Sequence, residues 1–428
     1  MNTKKSKLLV MTLCLLLVGT VFTFNVEADK PDELLILSTD TGPTYSSRAT
    51  DAFSEEYGID VEWQVVPYDD FFTQLTTMIS GGVPVDVFWM GNSWHAELGE
   101  MGMAIPLEDY YSEEEYNQVT DKFFPASVEK MSSHDKTWGL PIITSPYYFF
   151  YNEEMLAELG YDSGPETWNE VIEISEEAMD AGLADYGLVL GWQVGEALMA
   201  HFDNFLKLHG GQWINEDHTE FTFNSDEGIE ALEFMVELIE RGVVSESSLE
   251  IGDWDSPYSF LAGNTPFEMN WGVAYSMIND PDESVVKDKA RSILVPGIGE
   301  NRSYSTVGGG GWSVGATTRS QEWAFKLAEY ATNEMAARDV LDDKHAEATI
   351  VDVVESPEFD DDEFMQIYQE QLNYTGFRPA DFLTWYSYFR DEILAPNIHD
   401  ALHGNLTPEE ALNEAFEEAQ ERLEAEGI

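Results

Sequence analysis

The chain has 428 residues, of which 82 are acidic and 21 are basic, so its formal net charge is −61 at pH 7. Hydrophobic residues make up 43% of the composition and aromatic residues 13%, which is enough for substantial cores and excludes a disordered chain. The acids are spread along the sequence, and this pattern excludes nucleic acid and anionic lipid as partners, since both require clustered Lys and Arg.

The first residues are typical of a secretory signal peptide. Lysines at positions 4, 5 and 7 precede an apolar run over 8–24, and a small residue, Ala28, ends the segment. We expect cleavage after Ala28 and no membrane insertion afterwards; an uncleaved anchor is the alternative, because the apolar run is near the short limit of a spanning helix. Cys14 is the only cysteine, so the mature chain uses neither disulfides nor thiolate metal ligands.

Cleavage makes the charge more negative. The first 28 residues contain three lysines and one glutamate, so the mature chain keeps 81 acidic and 18 basic residues. Self-repulsion of this size destabilises a compact chain in dilute buffer, whereas at about 1 M salt the Debye length falls to roughly 3 Å. We therefore expect an exported protein, periplasmic or at the cell surface, that works in a saline environment.

The beginning of the mature chain predicts an α/β lobe. Strands are predicted at 34–39 (LLILST), 59–66 (IDVEWQVV) and 84–91 (PVDVFWMG), with helices between them that end at DAFSEEYG and FFTQLTTMISGG. This β-α-β-α-β order predicts parallel strands with helices on both faces of the sheet.

The segment GLPIITSPYYFFYN, residues 139–152, is an extended stretch longer than one sheet usually needs. It predicts a strand that passes from one lobe to another, and we expect the crossings at 141–145 and 302–308. Helix boundaries follow from residue type: the predicted N-caps are Asn152, Thr167 (with Glu170 as a capping box), Ser225 and Thr407, and the predicted stops are Gly160, Gly182 and Gly242.

No catalytic or metal-binding constellation stands out in the sequence. With so many acids, no pair of carboxylates can be assigned to glycoside hydrolysis. His399 and His403 have a spacing that zinc can use, but the glutamate of H-E-x-x-H is missing, which favours two unrelated surface histidines. The glycine run 308–311 lacks the P-loop and dinucleotide signatures. We expect no catalytic residue, metal or cofactor.

Tryptophans beside glycines and amides indicate a polar cleft. The motifs are GNSW, GWQ, MNWG and GGW. Each tryptophan alone is more typical of core packing, but flat indole faces combined with amides and carboxylates suit a sugar, whose C–H faces are apolar and whose rim carries hydroxyls.

Six segments in this order resemble the extracellular solute-binding proteins of ABC importers, in particular those for maltose, trehalose and related oligosaccharides. They are PVDVFWMGNSW, GLPIITSPYYFFYNEEMLAELGYDSGPETWNEV, FLAGNTPFEMNW, GGGWSVGATTRSQEWAFKLAEYATNE, FRPADFLTW and GNLTPEEALNEAFEEA. The resemblance implies a two-lobed periplasmic-binding-protein fold of type II, in which two α/β lobes joined by crossing hinge strands enclose a ligand cleft. After the signal peptide (1–28), the N-terminal lobe would be 29–143 plus 304–338 and the C-terminal lobe 144–303 plus 339–428.

The resemblance also implies a set of ligand-binding residues. Trp312 and Trp271 would stack on the sugar, backbone N–H groups of the glycine run would face it, and Arg378 would bind hydroxyls. The full set is Asp40, Trp94, Ser145, Tyr147, Gln193, Trp271, Gly310, Gly311, Trp312 and Arg378. Some relatives have aspartates near Gly91 and Ser145 and an aromatic residue near Val273, and their absence here leaves the identity of the sugar open.

The resemblance implies a monomeric receptor that closes around a small molecule and delivers it to ABC-transporter permease subunits, without catalysis. Three alternatives stay open: a receptor for a peptide, polyamine or compatible solute; a secreted carbohydrate-active enzyme; and a binding protein that reports to a sensor.

Overall fold

The computed structural model describes residues 30–342, 347–376 and 378–426, so the predicted signal peptide lies outside the described residues. The strands of this part are β1 (Glu33–Ser38), β2 (Asp60–Val65), β3 (Val87–Gly91), β4 (Ala104–Ile105), β5 (Ser132–Ser133), β6 (Lys136–Thr137), β7 (Leu140–Pro146), β8 (Tyr148–Asn152), β9 (Phe267–Asn270), β10 (Ala290–Ile293) and β11 (Val307–Gly315).

Helices connect and follow these strands along the chain. They are α1 (Gly42–Tyr57), α2 (Tyr68–Ser80), α3 (His95–Glu100), α4 (Leu107–Tyr110), α5 (Glu113–Thr120), α6 (Pro125–Glu129), α7 (Glu153–Leu159), α8 (Trp168–Asp180), α9 (Glu196–Leu208), α10 (Asp226–Glu240), α11 (Pro257–Leu261), α12 (Val273–Asn279), α13 (Gln321–Ala331), α14 (Glu334–Asp342), α15 (Val351–Val354), α16 (Glu363–Gln371), α17 (Tyr386–Tyr388), α18 (Ala395–Leu402) and α19 (Pro408–Glu426). None of these described helices combines the length and apolar character that crossing a bilayer requires.

The N-terminal lobe is built on one mixed sheet with the order β2-β1-β3-β11-β4, and β7 also pairs with β11. β1 runs parallel to β2 and β3, with Ile36 opposite Trp63 and Val87, which confirms the predicted parallel strands. β11 returns antiparallel to β3. The loops at the carboxyl ends of β1 and β3 therefore leave the same edge of the sheet, where ligands of open α/β sheets bind.

The C-terminal part of the chain has a smaller sheet in the order β10-β8-β9, and its strands are antiparallel. Its central strand continues directly from β7 after Tyr147, so one extended segment serves two sheets, as its length predicts. The backbone N–H of Tyr147 donates to Ser305 Oγ at 2.7 Å, which joins this crossing to the chain that returns toward β11. The two crossings therefore lie side by side.

The predicted helix boundaries are confirmed at the capping residues. Thr167 Oγ1 accepts from the backbone N–H of Glu170 at 3.3 Å, and Glu170 Oε2 accepts from the backbone N–H of Thr167 at 3.0 Å. Asn152 Oδ1 accepts from the backbone N–H of Met155 at 3.2 Å, and Gly160 ends that helix in the left-handed conformation. Local sequence thus determines where these helices begin.

The predicted lobe boundary at residue 338 falls inside α14. This helix packs against α1, and Val340 beyond the boundary is fully buried in the same core as α1. α14 as a whole therefore packs with the N-terminal lobe. The other predicted boundaries between the lobes stay predictions.

Candidate ligand-binding site

The loop after β3 reaches the glycine run of β11 at the edge of the N-terminal sheet. The backbone N–H of Asn92 donates to Gly309 O at 3.0 Å, and Asn92 Nδ2 donates to Gly308 O at 2.6 Å. A Cβ atom on Gly308 would stand 3.0 Å from the six-membered ring of Trp271, so glycine at this position lets the indole approach the strand closely. Trp271 follows β9, so this contact joins the two sheets.

Trp271 is held as a half-buried aromatic face at the crossing. Its ring stacks on Tyr147 with centroids 3.8 Å apart and an interplanar angle of 28°. Its Nε1–H donates to Asp253 Oδ2 at 2.7 Å, and its backbone N–H donates to Asn270 Oδ1 at 2.7 Å. These contacts fix both the plane and the edge of the indole.

The loop around Asp253 adds further polar and apolar groups beside Trp271. Tyr147 Oη donates to Asp253 Oδ2 at 2.7 Å, and burial is the main cause that raises the pKa of Tyr147, so this phenol stays protonated as a donor. Trp254 follows Asp253 and is 61% exposed, an unusual exposure for an indole. Gln193 is exposed beside this loop, with its backbone N–H donating to Ile251 O at 3.0 Å.

A buried carboxyl group lies behind Trp271. Glu347 Oε1 accepts from Ser145 Oγ and, at 3.0 Å, from the backbone N–H of Gly272. Glu347 O also accepts from the backbone N–H of Thr144 at 3.1 Å, so the segment that carries it lies against β7. Burial raises the pKa of Glu347 to about 8, although the hydrogen bonds from Ser145 and from the backbone of Gly272 act to lower this pKa. This carboxyl is mainly protonated at neutral pH.

Arg378 connects the two parts of the chain. Its Nη1 donates to Glu196 Oε1 at 2.7 Å, its Nη2 donates to Ser93 Oγ at 3.1 Å, and the side chain is 3% exposed. Glu196 Oε1 also accepts from Ser93 Oγ at 2.7 Å, while its Oε2 accepts from Arg390 at 3.0 Å and Tyr386 Oη at 3.1 Å. Burial alone would raise the pKa of Glu196, but the two guanidinium groups outweigh it, and the pKa lies below its ordinary value.

Two more contacts cross between the lobes near Arg378. Ser387 Oγ donates to Glu97 Oε2 at 2.7 Å, and Lys130 Nζ forms a buried ion pair with Asp381 Oδ2 at 2.7 Å. Together with the pair of Arg378 and Ser93, these contacts hold the ends of α3 and α6 against the C-terminal third of the chain.

Trp94 does not present its face to the site as predicted. Its ring is 4% exposed and lies between Tyr68, with centroids 5.0 Å apart, and Phe71, at 5.7 Å. The apolar face that a ligand would use is covered by these two rings. Tyr68 itself is 43% exposed.

Trp312, Gly310 and Gly311 also differ from the prediction. Trp312 is fully buried, its Nε1–H donates to Ser46 Oγ at 2.9 Å, and its ring meets Trp63 and Trp89 edge to face, so this indole packs in the core.

Gly310 and Gly311 pair with β3 on one side and β7 on the other. A Cβ atom on Gly310 would stand 2.3 Å from Met90 O, and one on Gly311 2.0 Å from Leu140 O. The lack of side chains at these glycines therefore lets β11 lie close to both β3 and β7. Their backbone groups pair with these strands and do not face a ligand.

The structure thus brings together Ser145, Tyr147, Trp271 and Arg378 from the predicted set, with Gln193 at the border. Asp40 is exposed in the turn after β1. Sequence reasoning missed Ser93, Glu196, Asp253 and Glu347. Nothing in the residues around Asp253 and Glu347 sets them apart in the sequence. They differ from most of the other acidic residues in being buried, and burial depends on the fold.

A cavity of about 360 Å³ lies between α12 and α16, and its lining includes none of the candidate-site residues named above. Its lining includes Tyr275, Lys287 and Phe364. Among the described residues no group of three or more His, Cys, Asp or Glu side chains has the arrangement of a metal site, and the rings of His399 and His403 meet at 4.5 Å.

Comparison with known proteins connects this architecture to a family. The model of the bacterial extracellular solute-binding proteins matches residues 37–338. A binding protein of Brucella abortus (strain 2308) is 28% identical over 207 residues, which is 48% of this chain and 49% of that protein. The chain therefore matches about half the length of this curated relative.

Solved structures match over nearly the whole chain. An ABC-transporter solute-binding protein of Thermotoga lettingae, bound with α-D-tagatose, has a TM-score of 0.81 and 24% identity over 92% of this chain and 100% of that chain. A maltose-bound protein of T. maritima has a TM-score of 0.79 and 23% identity over 90% and 98% of the two chains. The predicted two-lobed fold is thereby confirmed.

Proposed function

The chain belongs to the bacterial extracellular solute-binding protein family, and from this premise we propose that it is an exported receptor for a sugar or oligosaccharide that delivers its ligand to ABC-transporter permease subunits. The observation that carries the proposal is the fixed face of Trp271 on Tyr147, beside the hydroxyl of Tyr147 and the carboxylate of Asp253. Such a surface offers both the apolar face and the hydrogen bonds that a sugar ring uses. The sugar-bound states of the two Thermotoga structures support the same ligand class.

The proposed mechanism is hinge closure without chemistry. The two crossings at Tyr147 and Ser305 are adjacent, so small backbone rotations there move one lobe against the other. A ligand that contacts both Trp271 and the loops of the N-terminal sheet favours the closed arrangement, because only that arrangement lets it make all its contacts. The closed monomer then docks on the permease.

A thermal-shift screen of the mature protein tests the proposed function. The screen uses mono-, di- and trisaccharides, polyamines and glycine betaine at about 2 M salt. A ligand at a hundred times its dissociation constant stabilises the native state by about 2.7 kcal/mol. We expect a rise in Tm with at least one sugar, and the same sugar recovered intact afterwards. Sugar recovered in pieces would instead indicate a carbohydrate-active enzyme.

A cationic solute is the second candidate, because Trp254 is exposed and lies between Asp253 and Asp255 in sequence. An aromatic face next to a negative charge also binds quaternary ammonium and amine groups. A rise in Tm with betaine or a polyamine and none with any sugar would favour this candidate.

Replacing Trp271 with alanine is expected to weaken ligand binding at least tenfold, about 1.4 kcal/mol, because it removes the stacking face. Isothermal titration with the ligand from the screen measures the effect. Trp323→Ala is the matched control, since Trp323 is also half-buried but packs on Tyr57 in the N-terminal lobe, 5.5 Å between ring centroids. Equal affinity of Trp271→Ala and the wild type would remove Trp271 from the site.

The acidic composition supports a saline working environment. We expect NaCl at about 2 M to raise the stability of the mature protein by about 1 kcal/mol or more relative to about 0.1 M, because salt screens the repulsion between its carboxylates. Thermal unfolding at both concentrations measures this, and sucrose, which stabilises without screening charge, is the control. The same Tm at both salt concentrations would contradict the proposal.

A further inference from the structure

The carboxylate of Asp253 lies where two aromatic side chains of the candidate site meet. One oxygen, Oδ2, accepts from both Trp271 Nε1 and Tyr147 Oη at 2.7 Å. The two donors belong to rings that stack on each other at 3.8 Å. A single acceptor therefore ties the edges of both rings together.

The backbone of Asp253 is fixed independently of its side chain. Asn270 Nδ2 donates to Asp253 O at 2.9 Å, and Asn270 ends β9 immediately before Trp271. Ser256 Oγ donates to the same carbonyl at 3.4 Å. Because the carboxylate projects from a fixed backbone, it defines the direction in which the indole N–H of Trp271 must point.

A related arrangement, in which the carboxylate uses a separate oxygen for each of the two rings, occurs at Asp203. Asp203 accepts from Trp213 Nε1 at 2.5 Å and from Tyr304 Oη at 3.1 Å. Trp213, however, is fully buried and meets the rings of Phe202 and Phe389 in the core. Packing holds Trp213, whereas Trp271 is half-buried and depends more on its hydrogen bond.

We propose that Asp253 is the positioning residue of the candidate site, which fixes the indole of Trp271 and the phenol of Tyr147 as one stacking face and thereby sets the affinity for the ligand. The proposal rests on the proposed function in one respect, since the ligand is taken to contact Trp271. Asp253 itself acts through the two rings.

The first test needs no ligand and uses the mature chain. Asparagine has the shape of aspartate, but its neutral amide oxygen is a weaker hydrogen-bond acceptor than a carboxylate oxygen, so it holds the two rings less firmly. Solvent exchange of the Trp271 indole N–H, identified by its loss in Trp271→Phe, is measured by NMR. We expect Asp253→Asn to accelerate it at least tenfold and to leave the Trp213 indole unchanged. Asp203→Asn is the matched control with the reverse expectation. Unchanged exchange at Trp271 in Asp253→Asn would overturn the proposal.

The second test is a double-mutant cycle on binding, with maltose and maltotriose as probes. We expect Asp253→Asn to weaken binding at least fivefold in the wild-type background and by a smaller factor when Trp271 is already phenylalanine, since only the phenol of Tyr147 is then left to position. Equal losses in both backgrounds would overturn the proposal, because Asp253 would then act without Trp271. Failure of both probes and of every sugar in the screen to bind the wild type would overturn the proposed function, while the exchange measurement still decides the role of Asp253.

Discussion

Replacing Arg378 with methionine is expected to lower the free energy of unfolding by about 3–5 kcal/mol, the range for removing one partner of a buried ion pair. Methionine keeps much of the length and apolar volume of the side chain but removes the guanidinium. Glu196 then keeps Arg390 and Tyr386 at Oε2, while Oε1 keeps only Ser93. Urea unfolding of the mature chain measures the change.

A surface ion pair supplies the control for Arg378. Arg241 contacts Glu176 and Glu237, each at 2.8 Å, but its side chain is 37% exposed. Because water screens this pair, Arg241→Met is expected to change stability by only about 0–1 kcal/mol.

The double variant Arg378→Met with Glu196→Gln separates the charge from the packing. Removing both charges leaves no buried carboxylate without its partner, so this variant is expected to be more stable than Arg378→Met alone. Similar losses in Arg378→Met and Arg241→Met would show that the cluster at Ser93 contributes no more than a surface pair, and the contact between the lobes would then rest on other groups.

Local signals in the sequence were sufficient to predict much of the fold. Thr167 and Glu170 supply hydrogen-bond partners for backbone N–H groups at the start of α8 without help from the rest of the fold. The apolar sequences of β1 and β3 are typical of strands in the interior of a sheet. The length of 139–152 likewise predicts a strand shared by two sheets. Each of these features depends on residues that are neighbours in sequence.

The candidate site was predicted less well because its geometry depends on residues far apart in sequence. Trp312 lies opposite Trp89 in a regular register of β11 with β3, and the pairing of strands distant in sequence decides which face of a strand is buried. Trp312 therefore packs in the core, although its motif is similar to that of a ligand-stacking tryptophan. Trp271 lies half-buried at the crossing, and the groups that hold it, Asp253 and Tyr147, are distant from it in sequence.

Glu347 is expected to make the stability of the protein fall as the pH rises from about 5 to about 8. The pKa of this carboxyl is raised from 4.5 to about 8, so the folded chain keeps a proton that the unfolded chain releases above pH 4.5. Below pH 4.5 both states are protonated, and Glu347 adds no pH dependence. Between the two values its contribution falls by about 1.4 kcal/mol per pH unit, and above pH 8 the loss is complete, on the order of 5 kcal/mol.

Glu347→Gln isolates this contribution. Glutamine accepts the bonds from Ser145 and Gly272 through its amide oxygen but carries no ionisable group. The free energy of unfolding of Glu347→Gln minus that of the wild type should therefore be small near pH 4.5, increase steadily to about pH 8 and stay constant above it. Urea unfolding at each pH measures the difference, and Glu240→Gln on the exposed end of α10 controls for the loss of one formal charge. A difference that does not change between pH 5 and pH 8 would mean that Glu347 is already ionised in the folded protein, and its burial behind Trp271 would then require a counter-charge.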